Sequence, residues 1–195
     1  MEDKKVFFIG IIEGYNETNT KGYIESFFIQ EEWEIIYKNN KKNILALRKD
    51  ETIVFAIEIN PEDLHLYYSI DIKFDIIIYN TEVILENKFL QCNYFILNSD
   101  DENWLRLPLE GLNALVVSYG FNNKASLTVS SYNDDNNIRL NLYLQREVNS
   151  ILDSKIEPFE FIINSKTINE RETYKILAAA TASLVCGNKK LHLNI

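Results

Sequence analysis

The sequence predicts an α/β fold: a mostly parallel central sheet covered by helices, with a smaller antiparallel strand appendix towards the C-terminus. Three observations predict it. Residues 6–12 are an unbroken apolar run of strand length, and residues 74–79 are apolar but for Asp75, as in strands covered on both faces. Such runs alternate with segments of helical period through the first two thirds of the chain. From about Leu127 the pattern changes to β-branched and aromatic residues in rough alternation, as antiparallel strands require.

The elements follow in order. Residues 6–12 form the first strand, and a polar stretch leads to a helix over residues 20–31, whose Tyr23, Ile24, Phe27 and Phe28 share one face. Residues 33–37 and 43–47 read as two short strands joined by a turn over 39–42, and residues 53–59 as a buried strand. Pro61 and Asp63 suit the first turn of a short helix over 61–69. Strands over 74–79, 94–97 and 114–119 follow, with a short helix over 104–109 between the last two. Residues 127–131, 138–144 and 159–163 make the appendix, and a long Ala-rich helix spans 168–185, with Gly187 just past its end.

Length and composition bound the function. At 195 residues and 46% hydrophobic, the chain suffices for one domain with one substantial core, and residues 1–195 are read as a single unit. A net charge of −9 argues against nucleic-acid and anionic-membrane partners, which need a basic face. No apolar stretch reaches the roughly 20 residues of a membrane span, and none resembles a leader. Cys92 and Cys186 stand alone, so neither a disulfide framework nor a cysteine metal site is expected. A cytoplasmic location is the expectation.

Six segments, taken in order, carry a resemblance. Phe8-Ile9-Gly10-Ile11-Ile12-Glu13-Gly14-Tyr15-Asn16-Glu17-Thr18-Asn19-Thr20 is similar to a loop of the pattern I-G-I-T-G-T-N-G-K-T-T-T. Ala56-Ile57-Glu58-Ile59 parallels a strand ending E-V-S-S, and Phe74-Asp75-Ile76-Ile77-Ile78-Tyr79-Asn80 parallels F-D-V-A-V-F-T-N. Leu97-Asn98-Ser99-Asp100-Asp101 is close to L-N-A-D-D, Val117-Ser118-Tyr119-Gly120 to I-T-Y-G, and Tyr174-Lys175-Ile176-Leu177-Ala178-Ala179 to the end of H-N-V-Y-N-A-L-A-A. Together they resemble the central, ATP-binding domain of the Mur ligases, which build peptidoglycan precursors. The resemblance implies a three-layer sandwich like that of phosphate-loop NTPases, bacterial origin, and a link to cell-wall precursor metabolism.

Departures from the pattern decide what chemistry survives. A working phosphate loop needs glycines whose N–H groups converge on phosphate, a Lys for the β- and γ-phosphates, and a hydroxyl for Mg²⁺. In this register the Lys position holds Glu17, and Glu13 and Asn16 replace glycines; Gly10, Gly14 and Thr18 remain as vestiges. At about 4 Å and an effective dielectric near 20, each charge contact is of order 4 kcal/mol, so reversing its sign suffices to abolish tight binding. Glu58 occupies the place of a metal-associated carboxylate and could take Mg²⁺, or it is a solvated strand-end acid. Asp100 and Asp101 could orient a ribose or a metal-bound water, or one of them caps the helix that follows. The metal-binding segment after Asn80 has no counterpart, Lys88 lacks the helix that would present a catalytic Lys, and Glu172 and Lys175 replace asparagines that face the base. His65 and His192 have no partner motif, and no serine sits in a G-x-S-x-G elbow.

These readings lead to a catalytically degenerate Mur-ligase-like domain acting as a binding, regulatory or structural module. No catalytic residue and no cofactor is expected, and another protein is the expected partner. A rival reading is an ATP-dependent ligase or ATPase subunit working with another polypeptide, for which ATP and Mg²⁺ would be required. A third is an unrelated α/β binding domain.

Overall fold

The computed structural model describes residues 4–14, 19–70, 72–81, 83, 90–107, 109, 112–133, 138–165, 169–191 and 193–194. The phosphate-loop positions Asn16, Glu17 and Thr18, together with Lys88 and His192, lie outside them.

One 11-stranded sheet organises the molecule. Within it, β1 (Lys5–Ile12) is hydrogen-bonded in parallel to β4 (Thr52–Ile59) on one side and β5 (Phe74–Tyr79) on the other. The unbroken apolar run of the first strand is thus explained: it is an interior strand with both faces covered. Beyond β5, the strands β6 (Cys92–Asn98) and β7 (Leu115–Gly120) continue the parallel order. Beyond β4, the hairpin β2 (Glu34–Asn39) and β3 (Ile44–Lys49) adds an antiparallel edge.

The C-terminal appendix is antiparallel, but it extends the main sheet instead of packing apart from it. The strand β8 (Leu127–Asn133) joins β7 in parallel through two residue pairs, Tyr119 with Leu127 and Gly120 with Thr128. From there β9 (Ile138–Leu144) and β12 (Phe159–Ser165) follow antiparallel, and β13 (Leu193–Asn194) closes that side. A separate two-stranded ribbon, β10 (Val148–Asn149) with β11 (Lys155–Ile156), and the two-residue β13 carried no periodicity that a sequence could announce.

Alternation along β1 sends Ile9 and Ile11 to one face and Ile12 to the other, and a core lies on each. The first face is covered by α1 (Thr20–Gln30) and α3 (Glu170–Val185). Phe27 and Phe28 of α1 are fully buried there, each worth about 1.5–3 kcal/mol of burial. Ala178, Ala179 and Ala180 are also solvent-free, and their small side chains let α3 lie close to the sheet and to α1. The second face is thinner, formed by α2 (Leu64–Ser69), the 3₁₀ turn Glu102–Arg106 and loop residues packed on Phe74, Ile77 and Phe95. The helix expected over 104–109 is that 3₁₀ turn, displaced towards the N-terminus because Asp101 accepts the Asn103 N–H at 2.9 Å and starts the turn there. Gly187 adopts φ +89° past the end of α3, as a helix stop requires.

Candidate functional site

All the parallel strands end on one edge of the sheet, and the polar residues gather there. At the end of β1, Glu13 is almost wholly buried. Its Oε1 accepts the Thr20 hydroxyl at the start of α1 and the Asn80 Nδ2 at 2.6 Å; Asn80 in turn accepts the Tyr119 hydroxyl at 3.1 Å. Glu13 Oε2 is buried with no hydrogen-bond partner among the described residues. Burial pushes this carboxyl up to about 7, with Glu58 adding to the rise, against the Thr20 and Asn80 hydrogen bonds.

Beside it, Lys21 from the first turn of α1 and Glu58 from β4 form an ion pair at 2.7 Å, both side chains only 9% exposed. A second pair lies within α3, where Lys175 Nζ meets Glu172 Oε1 at 2.9 Å; the other Glu172 oxygen accepts the Tyr23 hydroxyl of α1 at 2.6 Å. Glu172 therefore ties the two helices together.

Next to this network lies a cavity of about 650 Å³. Tyr79, Asn80 and Thr81 from the end of β5 and Asn98 from β6 line one side, Asp101, Asn103 and Trp104 another. The first turns of α3 close it with Asn169, Glu170, Arg171, Tyr174 and Lys175. Tyr174 donates to Asp100 at 3.2 Å; its phenol is pushed well above the ordinary range by burial and by the nearby Asp100 carboxylate.

The candidate residues divide accordingly. Gly10 packs: a Cβ there would meet Ile77 at 2.6 Å and the Phe74 ring at 3.1 Å, so its place is explained by the second core. Gly14 begins the loop after Glu13, and Thr18 lies outside the described residues. Glu58 faces Lys21. Asp100 accepts the N–H groups of Phe121 (2.5 Å) and Asn122 (3.2 Å) and the Asn122 amide (2.5 Å), which fastens the turn after β7. Asp101 is both a cap and part of the cavity wall, so the two readings of that acid coexist. His65 is exposed, its Nδ1 2.9 Å from the Glu62 carbonyl. No cluster of three metal-ligating side chains occurs among the described residues.

Lys21, Asn80 and Arg171 were not singled out by sequence. Lys21 stands four residues beyond Glu17, and an ungapped register conceals it. The signal that could have found it is the helix start at Thr20, since a phosphate-loop Lys is presented from a helix N-terminus.

In sequence the chain matches no family model and no curated protein. Among solved structures, a UDP-N-acetylmuramoyl-L-alanyl-D-glutamate–2,6-diaminopimelate ligase matches with a TM-score of 0.67 at 12% identity, over 96% of this chain and 45% of the ligase. A UDP-N-acetylmuramoylalanyl-D-glutamyl-2,6-diaminopimelate–D-alanyl-D-alanyl ligase from Acinetobacter baumannii matches at 0.64, with 12% identity, over 93% and 43%. MurF from Thermotoga maritima, solved with ADP, matches at 0.60, with 9% identity, over 95% and 46%. The fold is Mur-ligase-like. The α/β architecture corresponds to the central domain of those ligases, and the chain spans less than half of their length. In this Mur-ligase-like fold, the crevice edge is the end of β1, β4, β5 and β6, where Glu13, Glu58, Asn80 and Asn98 stand. No described helix is long and apolar enough to cross a membrane.

Proposed function

We propose that this chain is a catalytically silent Mur-ligase-like module that serves binding, regulatory or structural ends through its crevice and surface. The observation that carries this reading is Glu13. An acid stands at the end of β1, beside the start of α1, where the resemblance calls for a glycine and an anion. Its carboxylate engages the Thr20 hydroxyl and the Asn80 amide, and Lys21 and Lys175 are each held by a glutamate of their own. A triphosphate entering here would find an acidic side chain in the place of a glycine and two lysines already neutralised. The reading extends to a protein partner, a cytoplasmic location and, through the resemblance, a tie to cell-wall precursor metabolism.

A second reading, an ATP-dependent ligase or ATPase subunit completed by another polypeptide, is favoured by Lys21 and Glu58. They place a cation and a hard-oxygen acid together at the crevice, and Mg²⁺ with ATP could separate them. Thermal denaturation with ATP and Mg²⁺ decides between the two. A ligand at a hundredfold excess over its Kd stabilises the native state by about 2.7 kcal/mol. On the first reading, millimolar ATP with Mg²⁺ leaves the melting temperature unchanged; a Mg²⁺-dependent rise would establish the second.

A further inference from the structure

The walls of the 650 Å³ cavity specify a ligand different in kind from a nucleotide triphosphate. Two of its amides have a fixed orientation. Asn98 Oδ1 accepts the Asp100 N–H at 3.0 Å, and Asn169 Oδ1 accepts the Glu172 N–H at 2.9 Å. A backbone N–H can only donate, so each Nδ2 is left as a donor, with no acceptor among the described residues. Asp101 supplies acceptor capacity, since the Asn103 N–H engages only its Oδ1. Trp104 packs its buried side on the second core and lines the cavity with the remainder. Charge on the wall is balanced: Asp101 and Glu170 stand against Arg171 and Lys175, and Lys175 is already paired with Glu172.

We propose that this cavity binds an uncharged saccharide, with a pyranose ring against Trp104 and its hydroxyls on Asn98, Asn169 and Asp101. Each hydroxyl both donates and accepts, which matches a wall that alternates fixed donors with a carboxylate acceptor. The apolar face of the ring suits the indole, and the volume, within the usual range of ligand pockets, admits one or two rings. The absence of net positive charge on this wall disfavours phosphates. The proposal rests on the non-nucleotide reading of the crevice and names the ligand class for it.

Tryptophan fluorescence tests it on the intact chain, which has two tryptophans. Trp33 is buried against Phe28 on the α1 face, with its indole N–H on Asn188 at 3.0 Å, so a ligand-induced change reports Trp104. The probes are glucose, galactose, N-acetylglucosamine, maltose and cellobiose, with adenosine and Mg²⁺-ATP as comparators. At least one sugar should give a saturable change with a Kd of about 1–10 mM, a typical weak affinity. Asn98→Asp and Asn169→Asp keep the backbone-capping oxygen but remove the donor, and each should weaken binding about tenfold while the melting temperature stays within a few degrees. Silence from every sugar up to about 50 mM, a weak-binding ceiling, overturns the proposal. So does unchanged sugar affinity in the doubly substituted, folded protein, or saturable binding of adenosine in competition with the sugars. A melting-temperature rise with Mg²⁺-ATP would instead refute the silent-module reading, whereas sugar failure without it leaves that reading standing.

Discussion

Glu13 shows how one residue can decide what a crevice accepts. A carboxyl with a buried, unpaired oxygen is destabilised when charged, which is why its pKa is raised from 4.5 to about 7. The folded state therefore binds the proton more tightly than the unfolded state. Its contribution to stability is fully present below pH 4.5 and is lost as pH rises through 7, a change of roughly 3 kcal/mol. Glu13→Gln keeps an acceptor for Thr20 and Asn80 and cannot ionise. Urea melts at pH 5 and pH 8 should show the variant gaining on the parent by roughly 2–3 kcal/mol at the higher pH. A parallel pH dependence in both proteins would show that Glu13 is neutral or solvated throughout. Asp100 makes the opposite case, an acid satisfied by backbone N–H groups. Asp100→Ala should cost about 1–3 kcal/mol in the same urea melts, because the N–H groups of Phe121 and Asn122 lose their acceptor.

At the scale of elements, α1 is fastened to the sheet by charge as well as by Phe27 and Phe28. Lys21 and Glu58 are both nearly buried, so removing one partner leaves the other uncompensated. Lys21→Met should lower stability by about 3 kcal/mol in urea melts, and Lys21→Met with Glu58→Gln should restore much of it; equal losses would show that solvent screens the pair. The sequence disclosed most of these elements and few of their polar ties. Residues 6–12 were legible because an interior strand must be apolar on both faces, and α3 because its buried stripe recurs at helical spacing. The ion pair was not legible, since Lys21 and Glu58 lie 37 positions apart and neither is unusual for its own element. Nor was the cavity, whose wall is drawn from β5, β6, a 3₁₀ turn and the start of α3. Local pattern reports the face an element buries. It carries no signal for side chains that meet only after the sheet has formed.

For the whole molecule, a sheet that runs unbroken through 11 strands predicts one unfolding event. Calorimetry should give a single transition with calorimetric and van't Hoff enthalpies in agreement; two transitions would mark the appendix beyond β7 as a separate unit, joined as it is through only two residue pairs. The interior place of β1 has a temporal consequence. On the ribosome it emerges before both of its partners, so Ile9 must wait for Ala56 on one side and for Ile76 on the other before its backbone is paired. Until then Val6-Phe7-Phe8-Ile9-Gly10-Ile11-Ile12 is an uncharged apolar segment with two open edges, the kind that pairs with copies of itself. Its flanking Lys4, Lys5 and Glu13 are gatekeeping charges during that interval. The same glutamate that is costly to ionise inside the finished fold would then keep the nascent strand apart from its neighbours on adjacent ribosomes.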